Sequence, residues 1–121
     1  MKKILVVDDQ PTIRRLVEIS LRTADRQILE AESGEQAIEI AHSEKPDLII
    51  MDLMMPGGMD GFAAVEILKA DPATRDCPVL VLTAKDQKAE RQRAFEVGTG
   101  DYLAKPFKLE VLARKVEGLM N

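Results

Sequence analysis

Three short apolar runs punctuate the chain: Ile4 to Val7, Leu48 to Met51 and Val79 to Leu82. Nearly unbroken runs of that length, rich in branched side chains, predict strands buried on both faces, and hence central strands of a parallel sheet. Gln27 to Ala31 and Asp101 to Ala104 mix apolar with polar positions and read as flanking strands of the same sheet. Between these segments the pattern shifts toward a helical period. Ile13, Leu16, Val17, Leu21 and Ala24 line one face of a first helix, with Pro11 near its start, where a missing N–H costs nothing. Ser33 followed by Gln36 forms a capping-box pattern that opens a second helix carrying Ala37, Ile38 and Ala41. Phe62, Val65, Ile67 and Leu68 mark a third, ended by Asp71-Pro72. The stretch Asp86 to Val97 reads as a polar, loosely anchored helix, and Leu112, Val116 and Leu119 dock a last helix on the sheet.

Five β/α units in 121 residues leave about 24 residues per unit, which suits short right-handed crossovers and not a closed eight-fold barrel. No linker, repeat or low-complexity tract interrupts them. The expected fold is therefore a single open, doubly wound α/β sandwich, a class that binds ligands outside the carboxyl ends of its strands.

Charge narrows the function. Lys and Arg number 17 against 21 Asp and Glu, a net charge of −4, so the chain lacks the cationic excess that direct nucleic-acid binding demands. No apolar run approaches a membrane span, and no signal-peptide core follows Met1. A cytoplasmic protein is expected, and the single Cys77 fits a reducing compartment. Cys77 reads as a small packed hydrophobe and His42 as a solvated residue near a helix end.

The polar residues at the strand ends carry the chemistry. Asp8-Asp9 follow the first strand, Asp52 the third, Thr83-Ala84 close the fourth, and Lys105-Pro106 follow the fifth. Parallel strands bring all of these to one edge. Three neighbouring carboxylates repel one another unless a cation joins them, and oxygen ligands without His or Cys select a hard ion, foremost Mg²⁺. Mg²⁺ and the Lys105 ammonium together suit a phosphoryl group, with Thr83 donating to one of its oxygens. Asp52, alone on its strand, is the natural acceptor, and Asp8 and Asp9 the metal-holding pair.

These residues resemble the receiver domains of two-component response regulators, the CheY-like superfamily. The resemblance runs from Lys3 to Met120. It rests on Ile4-Leu5-Val6-Val7-Asp8-Asp9, Asp47 to Pro56, Met59-Asp60-Gly61, Leu82-Thr83-Ala84 and Asp101-Tyr102-Leu103-Ala104-Lys105-Pro106-Phe107. It implies a flavodoxin-like sheet of strand order 2-1-3-4-5 and a phosphoryl group received on Asp52 from a sensor histidine kinase or a phosphotransfer protein. The domain itself would catalyse the transfer. By the same resemblance Asp9, Asp52 and the main-chain carbonyl of Met54 ligate Mg²⁺, Asp8 acts through water, and Lys105 pairs with the phosphoryl oxygens. Thr83 and Tyr102 form the switch, and the Lys105-Pro106 bond is cis. Met54 and Lys85 occupy positions that tune dephosphorylation, and a thioether at Met54 cannot hold an attacking water.

The face made by the polar helix, the fifth strand and the last helix is the expected output surface, toward a downstream protein or a second copy. Arg91, Glu96, Asp101, Glu110 and Arg114 match charged positions of receivers that dimerise there, and a merely solvated charged face is an equal alternative. One departure stands out: Gly57-Gly58 makes the loop before Met59-Asp60-Gly61 one residue longer than the family pattern. A receiver of this size is expected to fill residues 1–121 as a single domain, with no output domain within them. Two other chemistries fit less well. A haloacid dehalogenase-type phosphatase needs an Asp-x-Asp motif after the first strand and a cap, and a flavin site would place its phosphate against the acid pair.

Overall fold

The computed structural model describes residues 1–53, 55, 58–83, 92, 93, 96 and 98–120. Five strands, β1 (Lys2–Val7), β2 (Arg26–Ala31), β3 (Leu48–Asp52), β4 (Val79–Thr83) and β5 (Asp101–Ala104), form one sheet in the order β2-β1-β3-β4-β5. All four pairings are parallel. The helices with defined bounds are α1 (Pro11–Leu21), α2 (Gly34–Glu44), α3 (Gly61–Ala70) and α4 (Leu109–Met120). Gln92, Arg93 and Glu96 are helical as well, while most of the polar helix expected over Asp86 to Val97 lies outside the described residues.

The unbroken apolar runs are explained by the two layers they face. Successive strand side chains point to opposite faces. Leu5, Val7, Ile49, Met51, Val79 and Val81 pack with Ala37 and Ala41 of α2 and with Phe62, Val65 and Leu68 of α3. Ile4, Val6, Leu48, Ile50, Leu80 and Leu82 turn the other way, against Val17 and Leu21 of α1 and Leu112 and Val116 of α4. A strand covered on both sides has no position left for a polar residue until it ends.

Three assignments to the first and third helices are corrected. Leu16 is 43% exposed, because it lies about 100° around α1 from the buried Val17. Ile67 is also 43% exposed, one residue before the buried Leu68 and on the opposite flank from Phe62. Ala24 lies beyond the end of α1 and is exposed. The capping box forms with a variation: Ser33 Oγ accepts from the Gln36 N–H at 3.2 Å, while Gln36 Oε1 accepts from the Glu32 N–H at 2.8 Å, one residue ahead of the cap. Asp60 caps α3 by accepting from the Ala63 N–H at 2.8 Å. His42 is exposed yet partnered, its Nδ1 lying 3.0 Å from Asp71 Oδ2. The Ala73 N–H, and then the His42 ring, hold the Asp71 carboxyl below the ordinary carboxylate range. Among the described residues no helix is long and apolar enough to cross a membrane.

Candidate functional site

The three central strands end with their apolar runs or one polar residue beyond them, and the parallel order brings those ends together. Asp52 and Thr83 are the last residues of β3 and β4, Asp8 follows β1, and Lys105 follows β5. The ladder continues just past the strand ends: the Leu53 N–H donates to Leu82 O at 2.9 Å and the Lys105 N–H to Thr83 O at 2.7 Å. These bonds tie the site residues to the ends of the central strands.

The side chains meet as the pattern of strand ends requires. One carboxylate oxygen from each of Asp8, Asp9 and Asp52 lies within 4.8 Å of the others. Lys105 Nζ stands 3.1 Å from Asp8 Oδ2 and 3.4 Å from Asp52 Oδ2. Asp8 is fully buried, Asp52 is 2% exposed, and Thr83 is buried beside them. Asp9 is the more open member. Buried carboxylates persist only with compensating partners, and Asp8 is well supplied. Its Oδ1 accepts from the Gln10 N–H at 2.9 Å, its N–H donates to Ala31 O at 3.1 Å, and its carbonyl accepts from Arg14 Nη1 at 2.7 Å.

Three carboxylates and one ammonium leave two negative charges uncompensated among these four groups. A divalent cation would balance them, and an all-oxygen donor set on rigid strand ends suits a hard ion such as Mg²⁺. The two softer donors are remote from this edge: Cys77 precedes β4 and His42 lies near the end of α2, both at the opposite end of the sheet. Cys77 Sγ donates to Pro46 O at 3.2 Å, and burial pushes its thiol up to about 11, as befits a packing residue.

The remaining candidates are placed differently. Tyr102 sits on β5 opposite Val81 and packs, partly buried, against the α2/α3 side of the core. Asp101 pairs within the chain, its Oδ2 2.9 Å from Lys115 Nζ. Glu96, Glu110 and Arg114 are exposed. Met54, Lys85 and Arg91 lie outside the described residues. The Lys105-Pro106 bond is cis, as the resemblance implies.

Sequence reasoning missed Arg14. Its guanidinium joins the Asp8 carbonyl to Glu30, whose Oε1 lies 3.1 Å from Nε, and so ties α1 to the end of β1. Its position one turn into α1 is a usable signal, but Arg15 beside it carries the same charge and faces solvent. Gly61 also acquires a reason. A Cβ there would lie 2.6 Å from Asp52 O and 2.8 Å from Leu53 Cα, so α3 starts directly against the backbone of the acidic strand end.

Comparison with known proteins agrees with this geometry. The family described as the response regulator receiver domain matches residues 4–117. The DNA-binding dual master transcriptional regulator RpaA of Synechocystis is 40% identical over 121 residues, covering 100% of this chain and 50% of that protein. Protein PilH of Pseudomonas aeruginosa is 37% identical over 99% of this chain and 98% of its own length. Chemotaxis protein CheY4 of Vibrio cholerae superposes with a TM-score of 0.91 at 32% identity, covering 98% of both chains. The chain thus spans about half the length of several curated relatives it matches and nearly all of another. With this fold, this strand-end cluster and these relatives, the chain belongs to the response regulator receiver domains, the phosphorelay signalling modules of two-component systems.

Proposed function

We propose that residues 1–121 act as one receiver unit that accepts a phosphoryl group on Asp52 from the phosphohistidine of a sensor histidine kinase or phosphotransfer protein. The observation that carries this reading is the pair of buried carboxylates, Asp8 and Asp52, sharing one lysine at the carboxyl edge of the sheet. An oxygen of Asp52 forms the new P–O bond as the P–N bond to the donor imidazole breaks. The imidazole keeps the electron pair and takes a proton from solvent. Lys105 Nζ pairs with the phosphoryl oxygens, and the Thr83 hydroxyl, once turned toward them, donates to one, so the charge on those oxygens meets a cation and a hydrogen-bond donor. Asp9, Asp52 and the Met54 carbonyl would hold Mg²⁺, with Asp8 acting through water, and the ion would supply the remaining charge neutralisation.

On this reading Thr83 turns toward the phosphate and Tyr102 fills the space it leaves. That movement reshapes the surface around β5 and α4, which binds a downstream protein or a second copy of the chain. The Asp101 pairing with Lys115 would have to be shared or broken in such a dimer. The cytoplasm, where nucleotide-fed kinases work, is the implied compartment. The test is incubation with Mg²⁺ and acetyl phosphate followed by intact mass. A single labile phosphoryl addition, absent in Asp52→Asn, is expected; an addition that survives that substitution overturns the assignment.

A further inference from the structure

The loop after Asp52 leaves and returns to the same place. The Leu53 N–H is held by Leu82 O, and Gly61 seats the start of α3 against Asp52 O. Between those points the Met55 side chain is buried and Met59 packs, partly buried, on the α2/α3 side of the core. A polar tether is supplied by another element. Glu35, in the first turn of α2, accepts the Met59 N–H on Oε1 at 3.0 Å. A Cβ at Gly58 would lie 3.2 Å from Glu35 Oε2, and one at Gly34 would lie 3.2 Å from Met59 O. The returning leg of the loop therefore lies against the start of α2, with a glycine on each side leaving it room.

We infer that Glu35 is a positioning residue for the chemistry proposed at Asp52: it latches the returning leg of the loop that follows the acceptor and so sets how that loop approaches the site. The inference rests on the phosphoacceptor reading of Asp52. A loop one residue longer than the family pattern, with glycines at 57 and 58, has more conformations to lose than a shorter one. A carboxylate accepting a backbone N–H is a strong single restraint, and it acts on Met59, the residue that follows Gly57-Gly58.

Two variants separate the latch from the helix-stabilising charge that Glu35 also brings to the first turn of α2. Glu35→Gln loses the charge and keeps an acceptor oxygen; Glu35→Ala loses both. Exchange of the Met59 amide, followed by NMR without metal or phosphodonor, reads the latch directly: protection persists in Glu35→Gln and is lost in Glu35→Ala. With Mg²⁺ and acetyl phosphate, Glu35→Ala is expected to phosphorylate about threefold to tenfold more slowly, and Glu35→Gln to stay within about twofold of the parent. Unchanged Met59 protection in Glu35→Ala overturns the latch. Lost protection with an unchanged phosphorylation rate overturns the positioning role. A parent protein that takes up no phosphoryl group refutes the phosphoacceptor reading instead, and the exchange result still decides the latch.

Discussion

Replacing Lys105 with Met removes the cation that joins Asp8 and Asp52 among the described residues, while keeping a side chain of similar length along the same path. At 3.1 and 3.4 Å the two attractions are each about 5 kcal/mol at an effective dielectric of about 20, a gross figure that the cost of burying the charges largely offsets. Removing one partner from a buried pair typically costs about 3–5 kcal/mol. The Lys105 side chain is 23% exposed, so water reaches it and screening lowers the cost below that range, to about 2–3 kcal/mol. In a domain of this size each kcal/mol shifts Tm by about 3–5 °C, giving a fall of about 6–15 °C in chelator-treated protein. Added Mg²⁺ should narrow the gap, because the more negative variant site gains more from a divalent cation. Thermal unfolding by circular dichroism, with EDTA and then with Mg²⁺, measures both effects. Equal Tm values in EDTA would refute the charge-compensation reasoning, and a gap that Mg²⁺ leaves unchanged would show that Lys105 acts through packing alone.

Other substitutions probe the surroundings of the site. Gly61→Ala places a methyl 2.6 Å from Asp52 O and should cost about 1–3 kcal/mol in urea unfolding, with an unchanged midpoint counting against the close approach. Burial raises the Cys77 thiol from 9.0 to about 11. The folded protein thus holds its proton more tightly than the unfolded chain, so this contribution to stability is full below pH 9 and is lost as pH rises toward 11. Cys77→Ala should flatten that decline, and native protein at pH 8 should react with iodoacetamide about a hundredfold more slowly than unfolded protein, as its thiolate fraction dictates. Met54→Asn supplies a group able to hold an attacking water and is expected to shorten the phosphoryl lifetime, read by loss of the added mass over time; an unchanged lifetime removes the tuning role given to Met54.

The strand and helix order was legible because it depends on local periodicity. An apolar run such as Leu48 to Met51 can be satisfied only between two layers, and it ends where Asp52, still buried, joins the carboxylate cluster at the strand ends. The acid, hydroxyl and amine at the strand ends followed from the same rule, since parallel strands share one carboxyl edge. Helix faces were less secure. Leu16 and Ile67 are apolar and near the right spacing, yet a turn of about 100° per residue takes each beyond the edge of its layer.

The alternation of elements and the polar residues at their ends are legible in the chain alone, since both follow from neighbours along it. The strand order came from family resemblance, because periodicity does not rank strands across a sheet. Only the tertiary structure decided that Lys105 lies closer to Asp8 than to Asp52, that Arg14 and not Arg15 holds the Asp8 carbonyl, and that Glu35 reaches the Met59 amide. Those contacts join residues brought together by the crossing of separate elements, and their geometry depends on how helices settle on the sheet to within an ångström, which no local pattern encodes.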